Sequence, residues 1–410
     1  MLCVVFRLPI IFTAYLLSSY AFSATTALPD SVLLLADCPV SAVVSGKIQT
    51  VAEIKSGQTL QLLPEKQQPF TLQFGNASGF LAADCHLQTQ QVQQVRSVNA
   101  AASQMQGYLI TTQTTPIYRS ADQTSAVLAE LVPNLRYPWL AKHDAWYQVR
   151  FGDQFGYIAV QQVKADQGIP VLTYHHVLKN EENTHFRHTS TTTSVNAFDQ
   201  QMALLKKWGY QAISLYEVEN YLDGKENFNA KLLAVTFDDG LESVHRYAYP
   251  ILQKYGLRAT IFVITARIKH HLAAWDPNQL QFITRAQYQE MQPTMDLQSH
   301  THFLHRKLKK QPIILRRSLH NMLVDFKRSI QVLRQLNPKV RYLAYPYGSY
   351  TALAKKAAQE AGFHLAFSTA IGKVNFGDDR YQLKRIYLLK EDSEQQILEK
   401  LQPQFAVVSP

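Results

Sequence analysis

The sequence predicts an α/β protein in which two small all-β domains precede a larger domain of alternating strands and helices. The length of 410 residues is too great for one ordinary domain and favours two or three. A short motif occurs twice in the N-terminal part, and strand-like runs alternate with helix-like stretches from about residue 168. With 46% hydrophobic and 18% charged residues, the chain has enough apolar mass for a sizeable core.

The first residues predict a secretory signal peptide over residues 1–24. Arg7 is followed by an apolar run from Leu8 to about Phe22, and small residues that suit cleavage come next. A retained membrane anchor is the alternative. Later segments lack the apolar length that a membrane span needs. The sequence therefore predicts an exported protein of the periplasm, the cell envelope or the medium.

Cysteine and charge content narrow the class of protein further. Without the signal peptide, Cys38 and Cys85 remain, and an even count in an exported chain predicts one disulfide. The net charge is +10, with lysines and arginines spread along the chain. The densest run, RKLKK at 306–310, adjoins a helical stretch and predicts a solvated face. No nucleic-acid motif accompanies it, so nucleic acid is not an expected partner.

The repeated motif lies at residues 70–83 (FTLQFGNASGFLAA) and 147–160 (YQVRFGDQFGYIAV), which align without a gap. Each copy predicts two strands joined by a glycine-containing turn. Two small β-domains are therefore expected at 28–95, with the disulfide, and at 100–166. The second resembles bacterial SH3-like domains, and the first fits less well. The resemblance implies a module that contacts cell-wall glycan or peptide, with a structural spacer as the alternative.

The remaining residues, 168–400, predict one α/β domain. Helices are expected over 197–210 and 351–363, each ending near a glycine. Strands are expected over 169–177, 212–216, 231–240, 258–265, 295–300, 341–348 and 364–370. This alternation predicts a parallel sheet or an α/β barrel. Polar clusters follow the apolar runs, at the strand ends where barrel enzymes carry their active residues.

Two of these polar clusters carry candidate chemistry: TFDDG at 236–240 and SHTHFLH at 299–305. Two buried adjacent carboxylates are costly unless a cation offsets them, although Asp-Gly alone also forms ordinary turns. The histidine spacing leaves the metal ligands open. His300 and His302 would share a face of a strand, whereas His302 and His305 would share a face of a helix. His300 and His305 would need a loop to bring them together.

The order of these motifs resembles the polysaccharide deacetylase family, carbohydrate esterase family four, over roughly residues 168–395. The resemblance rests on YHHV at 174–177, TFDDG, the Ser-His-Thr that opens the histidine cluster, and YPYG at 345–348. It is closest to the branch that deacetylates poly-N-acetylglucosamine. It implies a distorted (β/α) barrel and a hydrolase that removes acetyl groups from amide nitrogens.

The resemblance also implies one divalent metal ion, usually zinc, with cobalt or nickel as alternatives. In the family, the second aspartate of TFDDG and two histidines bind this ion. Asp239 and His300 are then ligands, and the five-residue spacing of the poly-N-acetylglucosamine branch selects His305 as the third. His302 is left as a neighbour of the site.

The catalytic roles follow from the same resemblance. Asp238 becomes the general base, and the backbone N–H of Tyr347 becomes a donor to the oxyanion. Arg385 could orient Asp238.

The sequence also departs from the family pattern. Ala344 stands where the familiar motif has an arginine, and no Leu-x-His that would supply a general acid follows residues 385–389. His175 or His176 could contribute, although a structural role at the barrel mouth is the alternative. The substrate implied by the resemblance is poly-β-1,6-N-acetylglucosamine. Peptidoglycan or chitin-like oligomers are alternatives, as is a cell-wall-binding protein without turnover.

Overall fold

The computed structural model describes residues 31–63, 69–90, 104–292 and 294–402. These residues form an N-terminal β unit, up to residue 166, and a C-terminal α/β domain. The predicted signal peptide at 1–24 lies outside the described residues. Within the described ranges, every helix is too short or too polar to cross a membrane.

The β unit contains fifteen strands among the described residues, most of them in one long antiparallel sheet. They are β1 (Ser31–Leu34), β2 (Cys38–Val44), β3 (Lys47–Ile54), β4 (Thr59–Gln61), β5 (Thr71–Phe74), β6 (Ala77–Leu81), β7 (Leu87–Gln90), β8 (Gly107–Thr111), β9 (Thr115–Tyr118), β10 (Val127–Leu131), β11 (Leu135–Trp139), β12 (Ala141–His143), β13 (Trp146–Phe151), β14 (Gln154–Ala159) and β15 (Val163–Ala165). The repeated motif forms the hairpins β5–β6 and β13–β14, as the sequence predicts.

The two halves of the β unit share one sheet and one apolar core, rather than forming the two separate domains expected at 28–95 and 100–166. β3 of the first half pairs with β10 of the second, and Phe74 in β5 bridges Phe151 in β13. Buried side chains from both halves pack in the same cluster, with the Phe74 and Phe151 rings 6.4 Å apart. Each hairpin is apolar on one face, and the two faces cover each other. The SH3-like resemblance stays a prediction.

The predicted disulfide is confirmed. Cys38, at the start of β2, is bonded to Cys85, with a Cα–Cα distance of 5.4 Å. The bond closes 47 residues of chain and ties β2 to the segment before β7. A cross-link of this kind stabilises the fold mainly by restricting the unfolded chain.

The α/β domain contains thirteen strands and seven α-helices among the described residues. The strands are β16 (Val171–Tyr174), β17 (His176–Leu178), β18 (Thr192–Ser194), β19 (Gln211–Ala212), β20 (Phe228–Asn229), β21 (Leu232–Phe237), β22 (Ala259–Val263), β23 (Met295–Ser299), β24 (Lys307–Leu308), β25 (Gln311–Pro312), β26 (Tyr342–Ala344), β27 (Leu365–Ile371) and β28 (Leu383–Tyr387). The helices are α1 (Val195–Lys207), α2 (Leu215–Asp223), α3 (Tyr249–Tyr255), α4 (Arg285–Met291), α5 (Leu319–Leu333), α6 (Ala352–Ala361) and α7 (Glu394–Leu401).

Seven parallel strands form a barrel-like ring in the order β16, β28, β27, β26, β23, β22, β21 and back to β16. Short β19 pairs with β21 outside the ring. Six ring strands fall on predicted strands, whereas β28 was not predicted. The strand expected at 212–216 is found only at Ala212, in β19, and Leu215 already begins α2, because the Ser214 side chain caps that helix in a capping box with Glu217.

The β unit docks on the end of the ring where the strands begin. β11 pairs with β20, which lies just before β21, and the Tyr221 hydroxyl of α2 donates to Asp166 at 2.6 Å, where Asp166 also forms an ion pair with Arg136 at 3.0 Å. Both of these charged side chains are almost fully buried. The strands of a parallel ring all end on the opposite side, so the polar clusters that follow them lie away from the β unit.

Candidate metal centre and active site

The candidate site is built where the ring strands end. β21 ends at Phe237 and is followed directly by the two aspartates of TFDDG, and β23 ends at Ser299 just before the histidine cluster. β26 ends at Ala344, just before YPYG. The predicted placement of polar residues at strand C-termini is therefore what the structure shows.

Asp239, His300 and His305 converge on one point. The Asp239 Oδ1 atom is 3.5 Å from His300 Nε2 and 3.2 Å from His305 Nε2. Among the described residues, this trio is the one cluster of potential metal ligands close enough to share an ion. Ligands 2.0–2.1 Å from a tetrahedral zinc lie about 3.3 Å apart, so the spacing fits such an ion. The Asp239 Oδ1 atom is buried without a hydrogen-bond partner, which a bound cation would supply.

The two histidines of the cluster are oriented as ligands. The Nδ1 atom of His300 is 2.8 Å from the Ala344 carbonyl, to which it donates, so its Nε2 lone pair faces Asp239. Burial lowers the pKa of His300 to about 4 and that of His305 to about 4. Both imidazoles are therefore neutral at pH 7 and free to bind a metal. Ala344, which stands where the family motif has an arginine, thus contributes its carbonyl.

Local backbone geometry aims these side chains. Asp239 has a φ of 72° and Thr301 a φ of 70°, both in the left-handed region that non-glycine residues rarely adopt. Gly240 also has a positive φ, and a Cβ atom there would lie 2.9 Å from the Val263 side chain. Unusual backbone conformations of this kind cluster at functional sites, because the surrounding structure has to hold them in place.

His302 lies outside the group formed by Asp239, His300 and His305. Its Nδ1 atom is 2.8 Å from the Thr265 hydroxyl. The backbone N–H groups of His302 and Phe303 both donate to the carboxylate of Asp325 on α5, at 2.8 and 2.6 Å. Asp325 was not among the predicted site residues. An acidic residue on the apolar face of α5, next to Phe326, was the signal that could have revealed it.

Asp238 lies beside the cluster and is gripped by Arg385 of β28. Two parallel hydrogen bonds of 2.8 and 2.7 Å join the guanidinium to the carboxylate, and both side chains are buried. Burial alone would raise the pKa of Asp238, but the Arg385 charge and its hydrogen bonds outweigh this and hold the pKa well below its usual range. The predicted orienting contact of Arg385 is therefore present.

The two histidines of YHHV have different surroundings. The Nε2 atom of His175 is 3.9 Å from Asp238 Oδ2, and the ring stacks on Tyr387 with centroids 6.2 Å apart. His176 is turned away from the site: its Nδ1 atom is 3.1 Å from the Ser243 hydroxyl. The structure therefore brings His175 to the candidate site and leaves His176 in a packing position.

Tyr347 forms the other wall of the site. It lies in a tight 3₁₀ turn with a φ of 59°, and its ring centroid is 4.3 Å from that of His305. Its side chain is 36% exposed, so it borders the mouth of the site rather than the core. The turn follows β26 directly, which brings the Tyr347 backbone close to the cluster.

Known proteins similar to this chain identify its family. The sequence profile of the family described as polysaccharide deacetylase matches residues 225–366. A Staphylococcus epidermidis protein named poly-beta-1,6-N-acetyl-D-glucosamine N-deacetylase is 31% identical over 207 residues, which span 49% of this chain and 70% of that protein. This chain belongs to the polysaccharide deacetylase family.

Two solved structures of deacetylases share the fold of this family member. One is the Streptococcus pyogenes deacetylase PplD in complex with acetate, and the other is IcaB from Ammonifex degensii. Both are 30% identical in sequence, with TM-scores of 0.50 and coverage of 58% of this chain. They are covered over 99% and 97% of their own lengths, so most of each corresponds to part of this chain.

Proposed function

We propose that this polysaccharide deacetylase is a metal-dependent N-deacetylase of poly-β-1,6-N-acetylglucosamine. The observation that carries the proposal is the convergence of Asp239, His300 and His305 beside the buried carboxylate of Asp238. The relative from Staphylococcus epidermidis is named for this polymer, which favours it over peptidoglycan and chitin-like oligomers.

Asp239, His300 and His305 would hold one zinc ion, and cobalt or nickel could bind the same ligands. Two imidazole nitrogens and one carboxylate leave a coordination position open, as catalytic zinc sites do. Polarisation of the acetyl carbonyl and a lowered pKa of water are the chemistry that such an ion supplies. The carbonyl of Ala344 would fix His300 through the ring nitrogen that faces away from the ion.

Asp238 would act as the general base that accepts a proton from the attacking water. Its clamp to Arg385 keeps the carboxylate ionised at working pH and fixes both oxygens in space. The ion pair with Arg385 favours the charged form of Asp238, so it also lowers the affinity of this carboxylate for a proton. Orientation therefore contributes more here than basicity does.

His175 would supply the proton that the departing amine needs. Its Nε2 atom lies 3.9 Å from Asp238 Oδ2, and its side chain is only partly exposed. The late histidine of the familiar motif is absent from this sequence, so another group has to supply this proton, and His175 is the histidine of YHHV that lies beside Asp238. The backbone N–H of Tyr347 would donate to the oxyanion of the tetrahedral intermediate.

Acetate release is the measurement that tests the proposed function. We expect release from β-1,6-linked N-acetylglucosamine oligomers, at a higher rate than from β-1,4-linked oligomers or peptidoglycan, and loss of release after treatment with a chelator. Asp238→Asn should keep the metal and lower the rate by about 10²–10⁴. If Asp238→Asn and Asp239→Asn both leave acetate release unchanged, the protein is instead a glycan-binding protein without turnover.

We also propose export, to the periplasm, the cell envelope or the medium. The disulfide between Cys38 and Cys85 supports this, since disulfides persist in oxidising compartments. Mass spectrometry of the purified protein, which reports both the N-terminus and the thiol state, tests it. Two free thiols and an intact residue 1 would contradict export through a cleaved signal peptide. Cell-wall contact through the β unit stays a prediction, because the family match begins only at residue 225.

A further inference from the structure

The basic run RKLKK forms a β-hairpin beside the candidate metal centre. We call residues 306–312 the basic hairpin: β24 and β25 pair through Lys307 with Pro312 and Leu308 with Gln311. The hairpin begins immediately after His305. Lys309 and Lys310 occupy its turn with φ values of 48° and 65°, a two-residue turn that normally favours Asn-Gly. Two lysines are thus held in an unfavourable backbone conformation at the tip.

The positive charges of the basic hairpin are not neutralised. Arg306, Lys307, Lys309 and Lys310 are all exposed. Between His305 and Arg341, no lysine or arginine of the described residues forms an ion pair with a carboxylate. The guanidinium of Arg306 lies over the Phe303 ring instead, 5.3 Å from its centroid. Four uncompensated cations therefore lie next to the site. The predicted solvated face is present, and it is formed by a β-hairpin.

These charges reach the reaction site through Tyr347. The Nζ atom of Lys307 is 4.4 Å from the Tyr347 ring centroid, and that ring lies against the ring of His305. Arg267 adds a further cation, which acts on both His305 and Tyr347 and has its guanidinium over the Phe282 ring. The acidic groups of the site do not offset this field, because Asp238 is already paired with Arg385 and the charge of Asp239 would be taken up by the metal ion that it is proposed to hold.

The proposed reaction changes the charge of the polymer. Hydrolysis of one acetamide with one water gives acetate and a free amine, and this amine takes up a proton at neutral pH. A stretch that has already been deacetylated therefore carries cations, whereas an acetylated stretch is neutral. Like charges repel, and in water this repulsion acts over about 10 Å at moderate salt.

We propose that the basic hairpin selects stretches of polymer that are still acetylated and repels units that carry a free ammonium group. This inference rests on the proposed deacetylase function and deepens it. It predicts that free amines are introduced at spaced positions rather than in blocks. It also favours release of the product, since each turnover places a new cation beside Lys307 and the two charges repel each other.

The test uses two β-1,6-linked pentamers, one fully acetylated and one with glucosamine on either side of an acetylated central unit. Wild-type protein should show a higher kcat/KM for the fully acetylated pentamer, and the ratio should shrink as salt is raised. In a variant that carries Lys307→Gln, Lys309→Asn and Lys310→Gly, the ratio should fall by about three- to tenfold. The Asn-Gly pair suits the turn, so the hairpin itself is retained.

A matched control removes three charges elsewhere. Lys47→Gln, Lys164→Gln and Lys206→Gln change exposed lysines that lie in the β unit and at the last turn of α1, away from the strand ends. This variant should keep the wild-type ratio. Calorimetric binding of the pentamer with two glucosamine units to the Asp238→Asn protein provides a second readout, and affinity should rise when the hairpin charges are removed.

The outcomes separate the two ideas. Equal kcat/KM values of wild-type protein for the two pentamers, or an unchanged ratio in the hairpin variant, would overturn the selection proposal while leaving the deacetylase function intact. A ratio that falls as much in the control as in the hairpin variant would also overturn it, since net charge alone would then be responsible. Absence of acetate release from both pentamers would overturn the proposed function and this inference with it.

Discussion

At the scale of single residues, the three histidines of SHTHFLH have three different environments. His300 is fixed by the Ala344 carbonyl, His305 faces Asp239 and Tyr347, and His302 contacts Thr265. None of these partners is adjacent in sequence. Side-chain direction in this segment is therefore set by contacts from other strands and helices, rather than by a regular period of its own.

The first prediction concerns these histidines. His305→Ala should weaken zinc binding by more than about 100-fold, because losing a ligand costs more than the 10–100-fold typical of an outer contact. His302→Ala should retain most of the zinc. Metal content after dialysis against a fixed zinc concentration measures both. Equal zinc content in the two variants would contradict the assignment of His305 as a ligand.

The residues of this site were predictable to different degrees. Asp238 and Asp239 stand out because two carboxylates directly follow a buried strand. The choice of His305 over His302 came only from the family resemblance, since spacing along the chain fits either a strand or a helix. The segment is neither, and the left-handed backbone of Thr301 turns it into a loop that no periodic pattern describes.

The second prediction concerns stability in acid. Burial lowers the pKa of His176 to about 4, from an ordinary value of about 6.5. Because the folded state binds this proton less readily than the unfolded chain does, the contribution is complete above pH 6.5 and is lost as the pH falls towards 4. We expect roughly 3 kcal/mol from this residue.

Its measurement is the free energy of unfolding at pH 7 and at pH 4.5. His176→Gln should reduce the difference between the two values, whereas the exposed control His188→Gln should not change it. The other buried histidines contribute to the same loss, which is why the comparison is between variants. An identical pH dependence in His176→Gln and wild type would show that His176 does not titrate in this range.

At the scale of elements, α5 packs against the loop that carries His300 and His305 and holds its backbone. Its residue Asp325 accepts hydrogen bonds from the backbone of His302 and Phe303, and Ser329 contacts both Ser299 and Thr265. The loop between β23 and the basic hairpin is therefore held by a helix that follows it in sequence. The position of His305 depends on this hold, since it lies only three residues after His302.

The third prediction tests this hold. Asp325→Ala leaves two backbone N–H groups without their acceptor and should lower stability by about 2–3 kcal/mol. It should also weaken zinc binding by roughly tenfold, because a ligand's supporting contacts tune its affinity. Thermal unfolding and zinc titration report the two effects separately. Lys327→Ala, an exposed change in the same helix, is the control and should alter neither.

The elements themselves were predictable where the apolar pattern is strong. Helices at 197–210 and 351–363 are found as α1 and α6, with serine and threonine caps at their starts. β28 escaped prediction because its central residue, Arg385, is charged, although it is fully buried. The bidentate contact with Asp238, together with hydrogen bonds to the Ser368 carbonyl and the Thr236 hydroxyl, makes such a residue tolerable in a strand interior.

At the scale of the whole molecule, the β unit and the ring form one connected structure. Tyr108 of β8 stacks on Tyr221 at 5.0 Å between ring centroids and belongs to the same apolar cluster as Phe228. The buried pair of Arg136 and Asp166 lies in the same interface. The sequence suggested separate domains because the repeat and the change of pattern near residue 168 mark connectivity. These features show where one run of elements ends along the chain, but they do not show which apolar faces pack against each other in the fold.

The last prediction is that the β unit and the ring unfold together, and that Tyr108→Ala uncouples them. Tryptophan lies in both parts, at 139 and 146 in the β unit and at 208 and 275 in the other. Fluorescence therefore reports on both parts. Because the two parts are coupled, wild-type protein should give one denaturation transition by fluorescence and by circular dichroism. Tyr108→Ala removes a ring buried between the two parts, at a cost of about 3–5 kcal/mol.

Because that cost falls on the interface, the variant should show two transitions. One is the unfolding of the β unit, which is cross-linked by Cys38 and Cys85, and the other is the unfolding of the ring. Zinc content should stay at the wild-type level in the folded variant, since the candidate metal centre lies at the opposite end of the ring. Tyr157→Ala, a partly buried ring in β14 outside this cluster, serves as the control and should keep a single transition. Two transitions already in the wild type would show that the shared apolar cluster does not couple the two parts.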